Sequence, residues 1–417
     1  MNHSQEWRLL LACARTNIHG ENLQRINKLV DADLDWDYVE KTSCSHGIAP
    51  LVYHSLHRSG VISLLPFAPA ERLRSTYYGN AARNALLYDE LRAVLTMLRE
   101  QGSEVIVLKG AALAETVYPH RALRPMSDID LLVRRERLAE IETKLLEMGY
   151  VPDERRKTRE WFHAHHYHLG FVNSSGIPIE IHWHVARPNH RFSIDIDGFW
   201  ERAQSNKIAG VEALVLSPED LLLHICQHMH KHALIGGIRP LCDIAHAVEY
   251  YGNAINWMEF RSRSGQWGIS PYVYLALYLA KELFEAHIPR FFLDDFEPAD
   301  FDRAVIPWAK ERVLDGESSL ISQNLVQLCW EGRRFSDRLA ALGSALAPQA
   351  VAQYYSVPKD LNRLPLYYYP RRIRYLFSRY GPLLWRLISG DHKTRLVYFE
   401  REDNQLRLTK WLSSGYQ

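Results

Sequence analysis

The chain has 417 residues, 47% of them hydrophobic and 24% charged, with a formal net charge of +1. Such a length holds two or three domains of about 100–200 residues with ample core, and the composition is ordinary for a globular protein. A charge this close to zero removes any global argument for a nucleic-acid or anionic-membrane partner, so a basic site has to be local.

Cysteine usage points the same way as composition. Cys13, Cys44, Cys226, Cys242 and Cys329 are odd in number and widely spaced, without a C-x-x-C pair. They read as reduced, mostly buried thiols of a reducing compartment. The opening MNHSQEWRLLLACART has too short an apolar run for a signal peptide, and no stretch approaches the length of a membrane span. The expected location is the cytoplasm, with no transmembrane segment.

Residues 1–100 predict a helical region. Apolar side chains recur at helical spacing in Trp7, Leu10 and Leu11, and again through Leu86, Leu87, Leu91, Val94, Leu95 and Leu98. Gly20, Gly47, Pro50, Gly60, Pro66 and Pro69 divide this region into several short helices, the last running into a strand at Val105.

That strand, Val105 to Leu108, stops at Lys109-Gly110, where the helix former AALAETVY follows. A strand turning on glycine into a helix N-terminus offers free N–H groups and the positive end of a dipole, a setting suited to phosphate. Lys109 adds a full charge. The next strand, 127–133, carries Asp128 and Asp130 on one face and Ile129 and Leu131 on the other. Two carboxylates facing the same way suit a divalent cation.

A helix over 136–148 is expected next, then extended segments at His166–Val172, Ile177–Val185 and Phe192–Ile196. The turn NSSG at 173–176 predicts a hairpin joining the first two. Alternation in IPIEIHWHV places Glu180, His182 and His184 on one face. The expected product is α+β, a small mixed sheet with flanking helices between N-terminal and C-terminal helical regions.

LKGAALAETVYPHRALRPMSDIDLLV, followed by IEIHWHV, resembles a bacterial nucleotidyltransferase-like family of the nucleotidyltransferase superfamily, with Lys-Gly where the better-known enzymes have Gly-Ser. The resemblance implies Mg2+ or Mn2+ bound by Asp128 and Asp130, with Glu180 as the third acid, a metal ligand or base. It implies a nucleoside triphosphate held by Lys109 and the Gly110 amide. The reaction implied is NMP transfer to a hydroxyl on a small molecule, protein or RNA, with pyrophosphate released.

Around these lie Ser127, which leads into D-x-D, and His182, a partner of the metal ligands or a proton shuttle. Arg124, in the loop bounded by Pro119 and Pro125, either clamps the triphosphate or locks the loop to an acid. The competing readings are a nucleotide-binding scaffold without turnover and a histidine-based metallohydrolase. The expected organisation is a helical region at 1–100, a nucleotidyltransferase core at 101–212, a helical domain at 213–345 and a basic, aromatic region at 346–417.

A second D-x-D, Asp195 and Asp197, lacks a preceding glycine turn and helix. Ser217-Pro218-Glu219-Asp220 reads as a helix start. His224 and His228 stand four apart in that helix, but the zinc-protease pattern needs Glu beside the first, where Ile225 stands. They pack, cap or line the cleft. His163, His165, His166 and His168 read as an exposed polar segment. LYYYPRRIRYLFSRYGPLLWRLISG interleaves arginine with aromatics; a packed helix is favoured there over contact with nucleic acid or a membrane.

Overall fold

In a computed structural model the described residues are 4–15, 19–152, 166–187, 192–232, 234, 236–299, 301–315, 370, 374, 403–404 and 406–412. The chain divides into two compact units, Met1–Ile306 with Leu412–Gln417, and Pro307–Trp411. Of the basic aromatic stretch, Pro370 and Arg374 are described; the remainder, with His163, His165 and Cys329, lies outside the described residues.

The first unit opens with helices α1 (Ser4–Cys13), α2 (Gly20–Val30), α3 (Trp36–Ser45), α4 (Ala49–Arg58) and α5 (Phe67–Glu100). Asp35 caps α3, accepting from the Tyr38 amide at 2.9 Å. The last helix runs unbroken for 34 residues, longer than the short helices expected. Pro66 and Pro69 fall at its start, where an amide hydrogen has no intrahelical acceptor, so they begin a helix rather than break one.

Strands β1 (Val105–Val107), β2 (Ile129–Val133), β3 (Val151–Pro152), β4 (His168–Val172), β5 (Pro178–His182), β6 (Gln204–Ile208) and β7 (Val211–Val215) form a seven-stranded sheet in the order β3-β4-β5-β2-β1-β7-β6. β2 runs parallel to β5, β1 runs parallel to β7, and the other pairs are antiparallel. Helices α6 (Lys109–Thr116) and α7 (Leu138–Glu147) complete the expected mixed α+β arrangement.

Alternation divides the sheet chemically. Ile129, Leu131, Ile179, Ile181, Leu169 and Phe171 enter a core shared with Leu91 and Val94 of α5 and Ile141 and Leu145 of α7. Each such side chain contributes about 1.5–3 kcal/mol on burial, which fixes the register and turns the intervening polar residues to the opposite face.

Two elements differ from expectation. Residues 192–195 form no strand; Asp195 caps α8 (Ile196–Arg202), accepting from the Gly198 amide at 2.9 Å. The β6–β7 hairpin went unread because its turn is Ala209-Gly210, both left-handed at φ 52° and 83°, without the Asn-Gly or Asp-Gly signature of such turns.

Ser217 caps α9 (Pro218–Lys231) as its sequence predicts, and α10 (Arg239–Tyr251), α11 (Trp257–Gln266), α12 (Ser270–Phe284) and α13 (Arg290–Phe296) follow. Among the described residues no helix is long and apolar enough to cross a membrane.

Candidate active site

The sheet register assembles the polar face. Parallel pairing sets Asp130 opposite Glu180, and antiparallel pairing sets His168 opposite His182. Carboxylate oxygens of Asp128, Asp130 and Glu180 lie within 4.8 Å of one another, and so do the ligand atoms of His168, Glu180 and His182. The first group is all oxygen, the donor set that Mg2+ or Mn2+ takes. These residues therefore fit the divalent ion that D-x-D implies.

Asp130 is the buried centre. Its Oδ1 receives Lys109 Nζ at 3.1 Å and lies 2.8 Å from His182 Nε2, which is also 3.2 Å from Glu180 Oε2. His168 Nε2 stands 3.9 Å from the same Glu180 oxygen. Ser127 Oγ donates to Asp128 Oδ1 at 3.0 Å.

Burial opposes the Asp130 charge, but Lys109 and His182 outweigh it and hold the carboxyl well below the usual range. Glu180, also opposed by burial, is held down by its His182 hydrogen bond. Asp128 goes the other way, raised by burial and by the neighbouring Asp130 and Glu180 charges. Burial pulls down Lys109 and His182, yet the carboxylates keep both above their ordinary values. Three acids thus lie together with Lys109 and His182 beside them.

The Lys109-Gly110 turn is tied to D-x-D by its backbone, the Leu108 amide donating to the Asp130 carbonyl at 3.0 Å. Leu108 supplies no side-chain cap to α6, which leaves the helix start to other partners. Lys109 has φ 36°, a left-handed conformation that a side chain adopts at a cost.

Gly110 is needed for space. A Cβ there would lie 3.0 Å from Arg124 Nη1 and 3.4 Å from Met126 Cγ. Arg124 forms a bidentate pair with Asp243, 2.8 Å from each nitrogen, and Tyr118 donates to the same carboxylate at 2.8 Å. Helix α5 props the loop, Asn84 donating to the carbonyls of Arg121 at 2.6 Å and Arg124 at 2.9 Å.

His224 and His228 join neither ligand cluster. Nor do Asp195, the helix cap, and Asp197, which is exposed and 4.0 Å from Arg134. Asp243 and Lys231 were not singled out from sequence. Lys231 follows His228 by three residues on α9, a spacing that could have drawn attention to it.

Against this geometry, a family profile described as uncharacterised nucleotidyltransferase matches residues 32–285. The matched span takes in Lys109-Gly110, D-x-D, Glu180 and α9. Neither the curated proteins nor the solved structures give a match to the chain.

Proposed function

Because the chain belongs to this family of uncharacterised nucleotidyltransferases, we propose that it transfers a nucleoside monophosphate from a triphosphate to a hydroxyl acceptor. The observation that carries this reading is the cluster of Asp130 and Glu180 on adjoining strands, with Asp128 just before β2, beside a cationic helix start. Asp128, Asp130 and Glu180 would hold Mg2+ or Mn2+, which when bound supplies positive charge to the oxygens of an in-line displacement.

The remaining work falls to the chain's own groups. Lys109 and the Gly110 amide receive the triphosphate at the start of α6, where charge and dipole act together. Glu180 accepts the acceptor hydroxyl proton, and His182, bridging Glu180 and Asp130, orients both carboxylates and can relay that proton. The acceptor oxygen bonds to the α-phosphorus as the α–β bridge breaks and pyrophosphate leaves. Ser127 holds Asp128, and Arg124 locks its loop to Asp243 beside Gly110. The free thiols of Cys13, Cys44, Cys226 and Cys242 support a cytoplasmic setting.

Pyrophosphate release across a panel of triphosphates and hydroxyl acceptors tests this. Asp128→Asn and Asp130→Asn are each expected to lower the rate by several orders of magnitude while the chain stays folded. Near-normal release from either variant would remove the D-x-D site from the mechanism.

A nucleotide-binding scaffold is the second reading, favoured by the contact of Lys109 and His182 with Asp130, which neutralises that charge without a metal. Its signature is triphosphate binding without pyrophosphate release. The His168, Glu180 and His182 group is what a metallohydrolase would use; zinc content of the purified protein tests that.

A further inference from the structure

A charged triphosphate needs more cations than the turn alone offers. Lys109 is already within 3.1 Å of Asp130, and the Arg124 guanidinium is spent on Asp243. Helix α9 carries His224, Gln227, His228 and Lys231 at positions i, i+3, i+4 and i+7, with His232 following one turn after His228. This spacing defines one face.

The charges of the carboxylate cluster reach this face. His224 is within the electrostatic reach of Lys109, Asp130 and His182; His228 and Lys231 feel Lys109 and Asp130; His232 feels Lys109 and Glu180. The Lys231 ammonium donates to the Tyr167 hydroxyl, and the Tyr167 ring lies 5.7 Å from that of His182. The His228 and His232 rings lie 4.4 Å apart.

Two of these groups, His224 and Gln227, lack the partners that buried polar atoms require. His224 is 1% exposed and Gln227 2%, yet no polar side-chain atom of either has a hydrogen-bond partner among the described residues. Lys231, half-buried, has no carboxylate partner among them either, whereas Lys109, Arg124, Arg202 and Arg263 are each paired with one. A cation withdrawn from water without a counter-ion is costly, and the ligand that removes the cost is an anion.

We infer that this face of α9 is the phosphate-binding wall of the site, Lys231 with His228 and His232 receiving the β- and γ-phosphates while His224 and Gln227 line its inner end. The assignment rests on the nucleotidyl-transfer reading, whose triphosphate it completes. Burial lowers the Lys231 ammonium to about 8, so an arriving phosphate also restores its full charge. The last turn of a helix favours a cation, so the attraction comes from side chains rather than from amides.

The test is calorimetry on the full chain with Mg2+ and inorganic tripolyphosphate, a probe without base or sugar. Lys231→Met is expected to weaken binding about tenfold, the scale of one charged hydrogen bond, with smaller losses for His228→Asn and His232→Asn, and near-retention for Lys231→Arg. Without ligand, Lys231→Met should unfold no more easily than wild type, because it removes an uncompensated charge; a merely structural lysine would lose stability. Unchanged tripolyphosphate affinity in Lys231→Met overturns the assignment. So does a loss confined to orthophosphate, which would give the wall to a phosphorylated acceptor.

Pyrophosphate release measured in parallel separates the two readings. Lys231-dependent tripolyphosphate binding without release from any triphosphate retains the wall and removes the transfer. Release by Lys231→Met at the wild-type KM does the reverse.

Discussion

Lys109 occupies a left-handed conformation at φ 36° while its ammonium contacts a buried carboxylate, so one residue combines backbone strain with a side-chain ion pair. Two substitutions separate these effects. Lys109→Ala and Lys109→Gly both lose the Asp130 contact, and only alanine keeps the Cβ that makes this φ unfavourable. The glycine variant is therefore expected to be about 1–2 kcal/mol more stable than the alanine variant by denaturant unfolding. Equal stabilities would mean that the turn relaxes without cost. The strain itself was invisible in the sequence, where Lys-Gly reads as a turn with glycine as its permissive member. In the structure the positive φ belongs to the lysine, and Gly110 serves to admit Arg124. Asp128, Asp130, Glu180 and His182 were legible together because a two-residue period assigns faces without knowledge of the rest of the chain.

Elements bring in partners that periodicity cannot. Arg124 was open to a phosphate or an acid, and its observed partner, Asp243, lies 119 residues further on in α10, a distance across which no local pattern carries information. The pair is buried on both sides, with 9% and 5% of the side chains exposed. Burial resists the Asp243 charge, and Arg124 overcomes it to hold the carboxyl below its usual range. Removing one partner strands the other, so Asp243→Ala is expected to cost about 3–5 kcal/mol in denaturant unfolding, and Asp243→Leu combined with Arg124→Met should recover much of it. If the double variant is no better than the single, the loss comes from the Tyr118 hydroxyl or the helix rather than the stranded guanidinium. The β6–β7 hairpin was missed for a related reason: Ala209 is held left-handed by tertiary contacts, its amide donating to Glu115 at 2.8 Å and its carbonyl accepting from Arg92 at 3.0 Å. Nothing in Ala-Gly announces those bonds.

Over the first unit as a whole, the N-terminal helices are joined to the helical region beyond the sheet by charge. Glu285, left-handed at the end of α12, accepts from Arg15 just after α1 at 2.6 Å and from Arg25 of α2 at 2.8 Å. Both arginines precede the family-matched span, which ends on Glu285 itself. The clamp thus ties a flanking segment to the part of the chain that defines the family. The Arg15 hydrogen bond outweighs the effect of partial burial and, with Arg25, holds the Glu285 carboxyl down to about 2 from its ordinary 4.5. A group lowered on folding stabilises the folded state above its unfolded value, and that contribution disappears as pH falls from 4.5 toward 2. The carboxylate is 55% exposed, so solvent screening keeps the whole effect below about 1 kcal/mol. Urea unfolding of wild type and Glu285→Gln should therefore differ by that small amount at pH 6 and converge near pH 2, with the pH 6 difference shrinking at high salt. A difference that persisted unchanged at low pH would assign the stability to packing at the end of α12 and remove the clamp from the account of how the two regions are joined.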